Sequence, residues 1–556
     1  MVWFGRRSLV IFLALICALA GAVLAAESAA ETVRVFIFAG QSNMVGSDSK
    51  VADIERFPPY AELLPDLAAL EPAPRFSYVL GRETKKRSEG WVDLAPVGTI
   101  VGPELSFVRD VARQTNAPIA IIKVAAGGTT LCADWNPDEP GGFKMYPLAL
   151  DHVRKSLAAL DADKIPYRLE GFMWHQGEND MFKEGCMPAY GENLANFFAA
   201  WRRDLEAPAL RFYVGELCTK TIWGMDLRSR IYTIRAGQVA VTAADPLADY
   251  VKTSHNGVEI GRPYGLHYHY GTLGQLHHGS NYAAAYLERL GLVENNERQL
   301  KPWPYKKKTP LTLYVLAGHR NMEGERAFVA ELPADSPLRE DMDGVAFRYC
   351  LGGGVRASKS WEPLGPTGYQ ETFGPELSFA RTLRATCADH AFAIAKFTHS
   401  GSQMNDWTPE PTKEASRHLY PDFIRFVRRS VRSLEDKGHT VNLQIVYHVG
   451  ENDMSWGGTR NQAAEWLKAT IEQSRVDLGR PDLPWLVSQQ EPTEHKNLDR
   501  IDVVERIAAI AAADPHTTHL KSFDLPGREQ QLVITTPGIV KLGEAMAERV
   551  CKERGP

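Results

Sequence analysis

Short apolar runs alternate with stretches of helical spacing through most of this chain. Val33 to Ala39, Ile119 to Val124 and Gly171 to Trp174 are largely apolar runs of strand length, the pattern of strands buried on both faces of a parallel sheet. Between and after them, Ser106 to Gln114, Tyr146 to Leu160 and Tyr190 to Asp204 carry apolar residues at helical spacing. Strand and helix in alternation predict an α/β/α sandwich with a central parallel sheet and right-handed crossovers. Ligands of such sheets bind beyond the carboxyl ends of the strands, so the loops after these runs are where chemistry is expected.

The pattern is stated twice. Gly40-Gln41-Ser42-Asn43-Met44 follows the first run, and Gly318-His319-Arg320-Asn321-Met322 follows a matching run from Leu311 to Ala317. Later blocks recur in the same order: Gly102 to Phe107 as Gly374 to Phe379, Asp134-Trp135 as Asp406-Trp407, and Gly177 to Met181 as Gly450 to Met454. Gly274 and Gly279 match Gly538 and Gly543, which sets Val533 opposite His269. Ordered recurrence of this kind is a duplicated domain. Between Glu294 and Pro310 the chain is rich in charge and proline without apolar period, so it reads as a linker. The expected organisation is a first domain over 31–295, a linker over 296–309 and a second domain over 310–552, and 556 residues suffice for two full cores.

The first 26 residues carry Arg6 and Arg7, an apolar stretch from Leu9 to Leu24, then Ala25 and Ala26. This is the layout of a cleaved secretory signal over 1–26, the rival being a single membrane anchor. Export to the periplasm or the extracellular space is the expectation, with no stable membrane association after cleavage. Cys132, Cys186, Cys218, Cys350, Cys387 and Cys551 remain, and disulfides are allowed without any one pairing being singled out. A net charge of -5 gives no case for a nucleic-acid partner.

Three loops of the first half hold the polar residues. The first carries Ser42; the second is Ala125 to Thr130, where Gly127 lets backbone approach a substrate; the third runs from Trp174 through His175, Gln176, Gly177, Glu178 and Asn179 to Asp180. A fourth segment, Gly265 to Gly271, supplies His267 and His269 as candidate bases.

Residues FAGQSNM, GPELSF, AGGTTLCADWNP (Ala126 to Pro137), WHQGEND and HYGTLGQLHHG (His269 to Gly279) together resemble an SGNH-type hydrolase. Within that group they are similar to the branch of acetylxylan esterases and sialate O-acetylesterases. The resemblance implies two tandem flavodoxin-like domains and hydrolysis of O-acetyl esters on carbohydrate, with an acetylated glycan as partner and no cofactor. Ser42 would attack and form an acetyl-enzyme, with a neutral imidazole as base. The resemblance selects His269 as that base, with His267 as the alternate. Oxyanion donors would be the backbone N–H groups of Ser42 and Gly127 with a side-chain amide from Gln176 or Asn179, a choice the sequence leaves open. The aspartate that the group carries three residues before its histidine is Leu266 here. By resemblance to relatives that use the HQGE acid, Glu178 takes its place as third member of the triad; a serine–histidine dyad is the alternative.

The second half lacks the chemistry, because Arg320 replaces Ser42 and Val533 replaces His269. What persists there, GPELSF and GEND, therefore reads largely as scaffold. No metal is expected: His267, His269, His277 and His278 lack carboxylate or cysteine partners at ligand spacing. Trp135 and Tyr268 are either sugar-stacking or packing residues. Two function classes follow: an exported carbohydrate esterase with an active first domain and a non-catalytic second one, or a wholly non-catalytic glycan-binding protein.

Overall fold

The computed structural model describes residues 32–554 apart from 84, 219–220, 223–224, 254, 256–268, 293–297, 299, 388–389, 413–416, 451–452, 455–456, 492–501 and 530–532. The signal expected over 1–26, His267 and Tyr268 lie outside the described residues. Among those described, no helix is long and apolar enough to cross a membrane.

The first sheet is built from β1 (Val33–Gly40), β2 (Arg75–Leu80), β3 (Ile119–Ala125), β4 (Tyr167–His175), β5 (Phe212–Gly215) and β6 (Ala248–Val251). They lie side by side in the order β2-β3-β1-β4-β5-β6, all parallel. Two short antiparallel pieces, Lys86–Arg87 and Val92–Asp93, pair with the outer strand β2. Without the added edge strand β2 the order is the flavodoxin-like one, which reverses direction at β1.

Residue alternation along β1 shows why the runs are apolar on both faces. Val35, Ile37 and Ala39 enter one core with α3 (Met145–Ala162), α4 (Tyr190–Asp204) and α5 (Arg228–Ala244). Phe36 and Phe38 enter the opposite core with α2 (Pro103–Thr115) and α6 (Gly271–Arg289). A single strand thus serves two cores, and polar residues inside it would be costly on either face. The helices expected from Ser106, Tyr146 and Tyr190 are the observed α2, α3 and α4.

The second sheet repeats the plan. Its strands are β7 (Leu311–Gly318), β8 (Met342–Leu351), β9 (Phe392–Thr398), β10 (Val441–His448), β11 (Trp485–Gln490) and β12 (Thr517–Ser522), in the order β8-β9-β7-β10-β11-β12. All are parallel, again with short antiparallel pieces on the β8 edge. Two tandem α/β/α domains with mainly parallel sheets are therefore the architecture. Trp303 and Tyr305, from the charged stretch between the sheets, pack on the second domain: the Trp303 indole donates to His439 Nε2 at 3.0 Å. Two disulfides close, Cys132–Cys186 and Cys387–Cys551, while Cys218 and Cys350 are free thiols.

Candidate active site

Register places three loops at one level. Gly40, the last residue of β1, is paired with Ala125 at the end of β3 and with His175 at the end of β4. The chain then crosses between strands: Gln41 N–H donates to the His175 carbonyl at 3.1 Å and Ala126 N–H to the Gly40 carbonyl at 3.1 Å. Gly40 has φ +153, and a Cβ there would lie 2.0 Å from the His175 carbonyl oxygen, so no other residue fits this crossing.

Ser42 opens a single helical turn, Ser42–Val45, directly after this crossing. It is 9% exposed, which leaves its hydroxyl within reach of a ligand while the turn beneath it is buried. Gly127 sits against it: a Cβ on Gly127 would lie 3.3 Å from Ser42 Cβ. Among the described residues, neither the Ser42 N–H nor the Gly127 N–H has an acceptor. Two backbone donors are thus held beside the hydroxyl.

The two side-chain amides divide their work. Gln176 is wholly buried, and its Nε2 donates to Gln41 Oε1 at 3.1 Å, to the Thr129 carbonyl at 3.0 Å and to Asp180 Oδ2 at 2.5 Å. Its donors are spent inside the scaffold. Asn179 accepts from Gln41 Nε2 through Oδ1 at 3.1 Å, and its Nδ2 lies beside Gly128. That nitrogen faces the glycine loop and is the amide donor of the site that is left for a ligand.

The residues beside His269 and Ser42 are bonded to each other across more than two hundred residues of sequence. Tyr270 N–H, one residue after the histidine, donates to Asn43 Oδ1 at 3.1 Å, one residue after the serine. His269 Nδ1 meets Asp48 Oδ2 at 2.6 Å. With a carboxylate as acceptor Nδ1 is the donor, and in the neutral ring this places the lone pair on Nε2, the tautomer a general base requires. Asp48 has φ +64, a left-handed conformation that aspartate tolerates better than most residues and that recurs at functional positions. The pair is open on the acid's side, with Asp48 68% and His269 14% exposed.

Glu178, the acid expected behind the base, is elsewhere. Its Oε1 accepts from Asn43 Nδ2 at 2.6 Å and lies 3.7 Å from His175 Nε2. Burial pushes its pKa up to about 7, partly countered by the Asn43 bond. The carboxylate against His269 is Asp48, and Glu178 instead fixes the asparagine between Ser42 and Tyr270. Sequence spacing gave no hint of Asp48, because six residues past the serine is a loop position with no periodic neighbour. Trp135 is fully buried in the core, donating to Thr129 Oγ1 at 3.0 Å, and is thus a packing residue. His277 and His278 are buried in α6.

The family described as carbohydrate esterase, sialic acid-specific acetylesterase, matches residues 32–288 and 310–552. The chain belongs to this family. Both copies carry the match, so the sialic acid-specific acetylesterase pattern spans the active-looking and the altered half alike. Among solved structures, a protein from Arabidopsis thaliana is similar at 21% identity and TM-score 0.33, covering 46% of this chain and 98% of its own. NanS is similar at 16% identity and TM-score 0.33, covering 47% of this chain and 98% of its own. A carbohydrate acetylesterase from Xanthomonas citri is similar at 18% identity and TM-score 0.33, over 50% of this chain and 60% of its own. No curated protein matches the chain.

Within this chain the second copy is a built-in control. Ile534 N–H donates to Asn321 Oδ1 at 2.9 Å, as Tyr270 does to Asn43, so Val533 stands at the position of His269. Gly46 and Gly324 close equivalent turns, at φ 95 and 85, so Arg326 stands at the position of Asp48. Serine, histidine and aspartate are replaced together by Arg320, Val533 and Arg326. Buried Arg320 pairs with Glu325 at 3.0 Å, filling the place of the hydroxyl with an internal ion pair.

Scaffold features persist. Lys123 pairs with Glu104 at 2.6 Å in one copy and Lys396 with Glu376 at 2.7 Å in the other. Both lysines also reach back to the turn after the nucleophile position, to the Val45 and Glu323 carbonyls. Asp180 accepts from Leu131 N–H and Asp453 from Met404 N–H, each at 2.9 Å. Asn321 Nδ2 donates to Gln490 Oε1 at 2.7 Å, as Asn43 Nδ2 does to Glu178 Oε1 at 2.6 Å; Glu451, which matches Glu178 in sequence, lies outside the described residues.

Proposed function

We propose that the first domain is a serine esterase that removes O-acetyl groups from carbohydrate, and that the second domain is not catalytic. Family membership supports the ester and the glycan; the Asp48–His269 hydrogen bond beside the Ser42 turn is the observation that carries the mechanism. Ser42 Oγ attacks the acetyl carbonyl as His269 Nε2 takes its proton, and Asp48 holds the imidazole and offsets its developing charge. The oxyanion is received by the Ser42 and Gly127 N–H groups and Asn179 Nδ2, donors worth several kcal/mol when fixed in advance. His269 returns the proton to the departing sugar hydroxyl. Water, activated the same way, then splits the acetyl-serine and releases acetate.

In this reading Asp48 takes the role that the resemblance gave to Glu178, and an acid behind His269 favours the esterase over the non-catalytic glycan-binding alternative. The second copy cannot follow this course, because neither Arg320 nor Val533 supplies a nucleophile or a base. The two disulfides support an oxidising compartment and hence the exported reading.

The test is acetate release from acetylated xylan, O-acetylated sialic acid and an aryl acetate. Wild type should release acetate from at least one, and Ser42→Ala should release none; equal rates would end the esterase reading. Asp48→Asn should lower kcat by about 10- to 100-fold, less than for a fully buried triad acid because this one faces solvent. An unchanged kcat would remove Asp48 from the mechanism.

A further inference from the structure

The carboxyl ends of the second sheet's strands, where the altered copy would hold a ligand, are turned onto the first domain. Gln403, in the loop after β9, accepts from Arg228 Nη1 at 3.0 Å. The Tyr369 ring lies against His255, with ring centroids 4.5 Å apart and the planes tilted by 36°. Arg326, at the place of Asp48, lies over the Phe57 ring at 4.6 Å, and Phe328 is part of a first-domain core. The altered ligand face is therefore an intramolecular interface.

One contact of this interface leads to the base. Arg417 is fixed in the second domain by its own N–H to Asp406 Oδ1 at 3.0 Å, and its guanidinium reaches across to Glu216 Oε1 at 3.9 Å. Glu216, 7% exposed, is also met at the same oxygen by Arg235 Nε at 3.5 Å. A carboxylate this buried needs such cations and hydrogen bonds to remain ionised and in place. Glu216 meets described residues on both sides of 256–268, its carboxylate at Thr253 and its backbone carbonyl at Tyr270, the residue after His269. At the near end, Thr253 N–H donates to Glu216 Oε2 at 3.1 Å and Thr253 Oγ1 to the Glu216 carbonyl. At the far end, the Tyr270 hydroxyl lies 3.5 Å from the Glu216 carbonyl and 2.8 Å from His175 Nε2, and Tyr270 directly follows His269.

We propose that Arg417 of the second domain, acting through Glu216, is a positioning residue for His269 in the first, so that the altered copy is needed for full activity of the intact one. The inference rests on the reading of His269 as the base. It gives the second domain a function other than glycan binding: it supplies in cis a cation that holds the segment of the base.

The test uses the full chain with an aryl acetate as substrate. Arg417→Met should lower kcat by about tenfold or more with KM little changed, since small misplacement of a base is felt in the chemical step. Arg417→Lys, which keeps a cation there, should recover much of the loss. Glu216→Gln should lower kcat comparably, and the double variant with Arg417→Met should be no worse than the worse single one, because both act through one contact. Strictly additive losses, or kcat within twofold of wild type in Glu216→Gln and Arg417→Met, would overturn the inference. Should Arg417→Met fail to fold, Glu216→Gln decides: kcat within twofold of wild type there would overturn the inference. Ser42→Ala run in parallel separates the two readings: activity surviving in Ser42→Ala refutes the esterase site itself, whereas loss there with unchanged Arg417 and Glu216 variants refutes only the positioning role.

Discussion

Glu178 accepts from Asn43 Nδ2, whose own Oδ1 takes the Tyr270 N–H, so its carboxyl group braces the two segments that meet there, while the acid on His269 is Asp48. Burial raises the Glu178 pKa to about 7, above the ordinary carboxylate value of 4.5. The folded state then binds more protons than the unfolded state between those values, and stability falls as pH rises from about 4.5 through about 7. Glu178→Gln should remove this loss: the variant should be more stable than wild type at pH 8, by roughly 2–3 kcal/mol, and the gap should close toward pH 4.5. Thermal unfolding across that range measures it. Acetate release by Glu178→Gln should stay near wild type, whereas a loss on the scale of Ser42→Ala would return Glu178 to the mechanism. At this scale the sequence was informative for Ser42, Gly127 and His269, whose neighbours form recognisable blocks. It could not reveal Asp48, because a hydrogen bond spanning 221 residues leaves no local pattern. Nor could it divide Gln176 from Asn179, since only the fold shows which amide is already engaged.

Elements were legible where a single physical requirement governs them. Strands of a sheet covered on both faces must be apolar throughout, and β1, β3 and β7 announce themselves for that reason. Lys123, the exception within β3, is explained by Glu104 of α2: the GPELSF block persists in both copies because its glutamate neutralises a lysine buried in the neighbouring strand. That lysine in turn reaches the carbonyl at the end of the Ser42 turn. Lys123→Met should cost about 3–5 kcal/mol by leaving Glu104 buried and unpaired, and Lys123→Met with Glu104→Leu should regain much of it. Denaturant unfolding followed in the two variants checks this; equal stability of the single variant and wild type would contradict it. The edge strand β2 was not legible, because an outer strand with mixed residues carries neither a continuous apolar run nor clean alternation.

At the scale of the molecule, duplication has produced two domains of one strand order and two fates. Serine, aspartate and histidine left the second copy together, while the buried lysine pair and the Asp453 bracket stayed. The freed ligand face now covers part of the first domain, a relation invisible in a linear sequence, where each copy reads as complete by itself. One nucleophile per chain, at Ser42, follows from these replacements. Labelling the full chain with a fluorophosphonate and mapping the modified peptide by mass spectrometry tests it most directly. One adduct per chain on Ser42, absent from Ser42→Ala, is the predicted result; no adduct, or an adduct on a serine of the second domain, would contradict it.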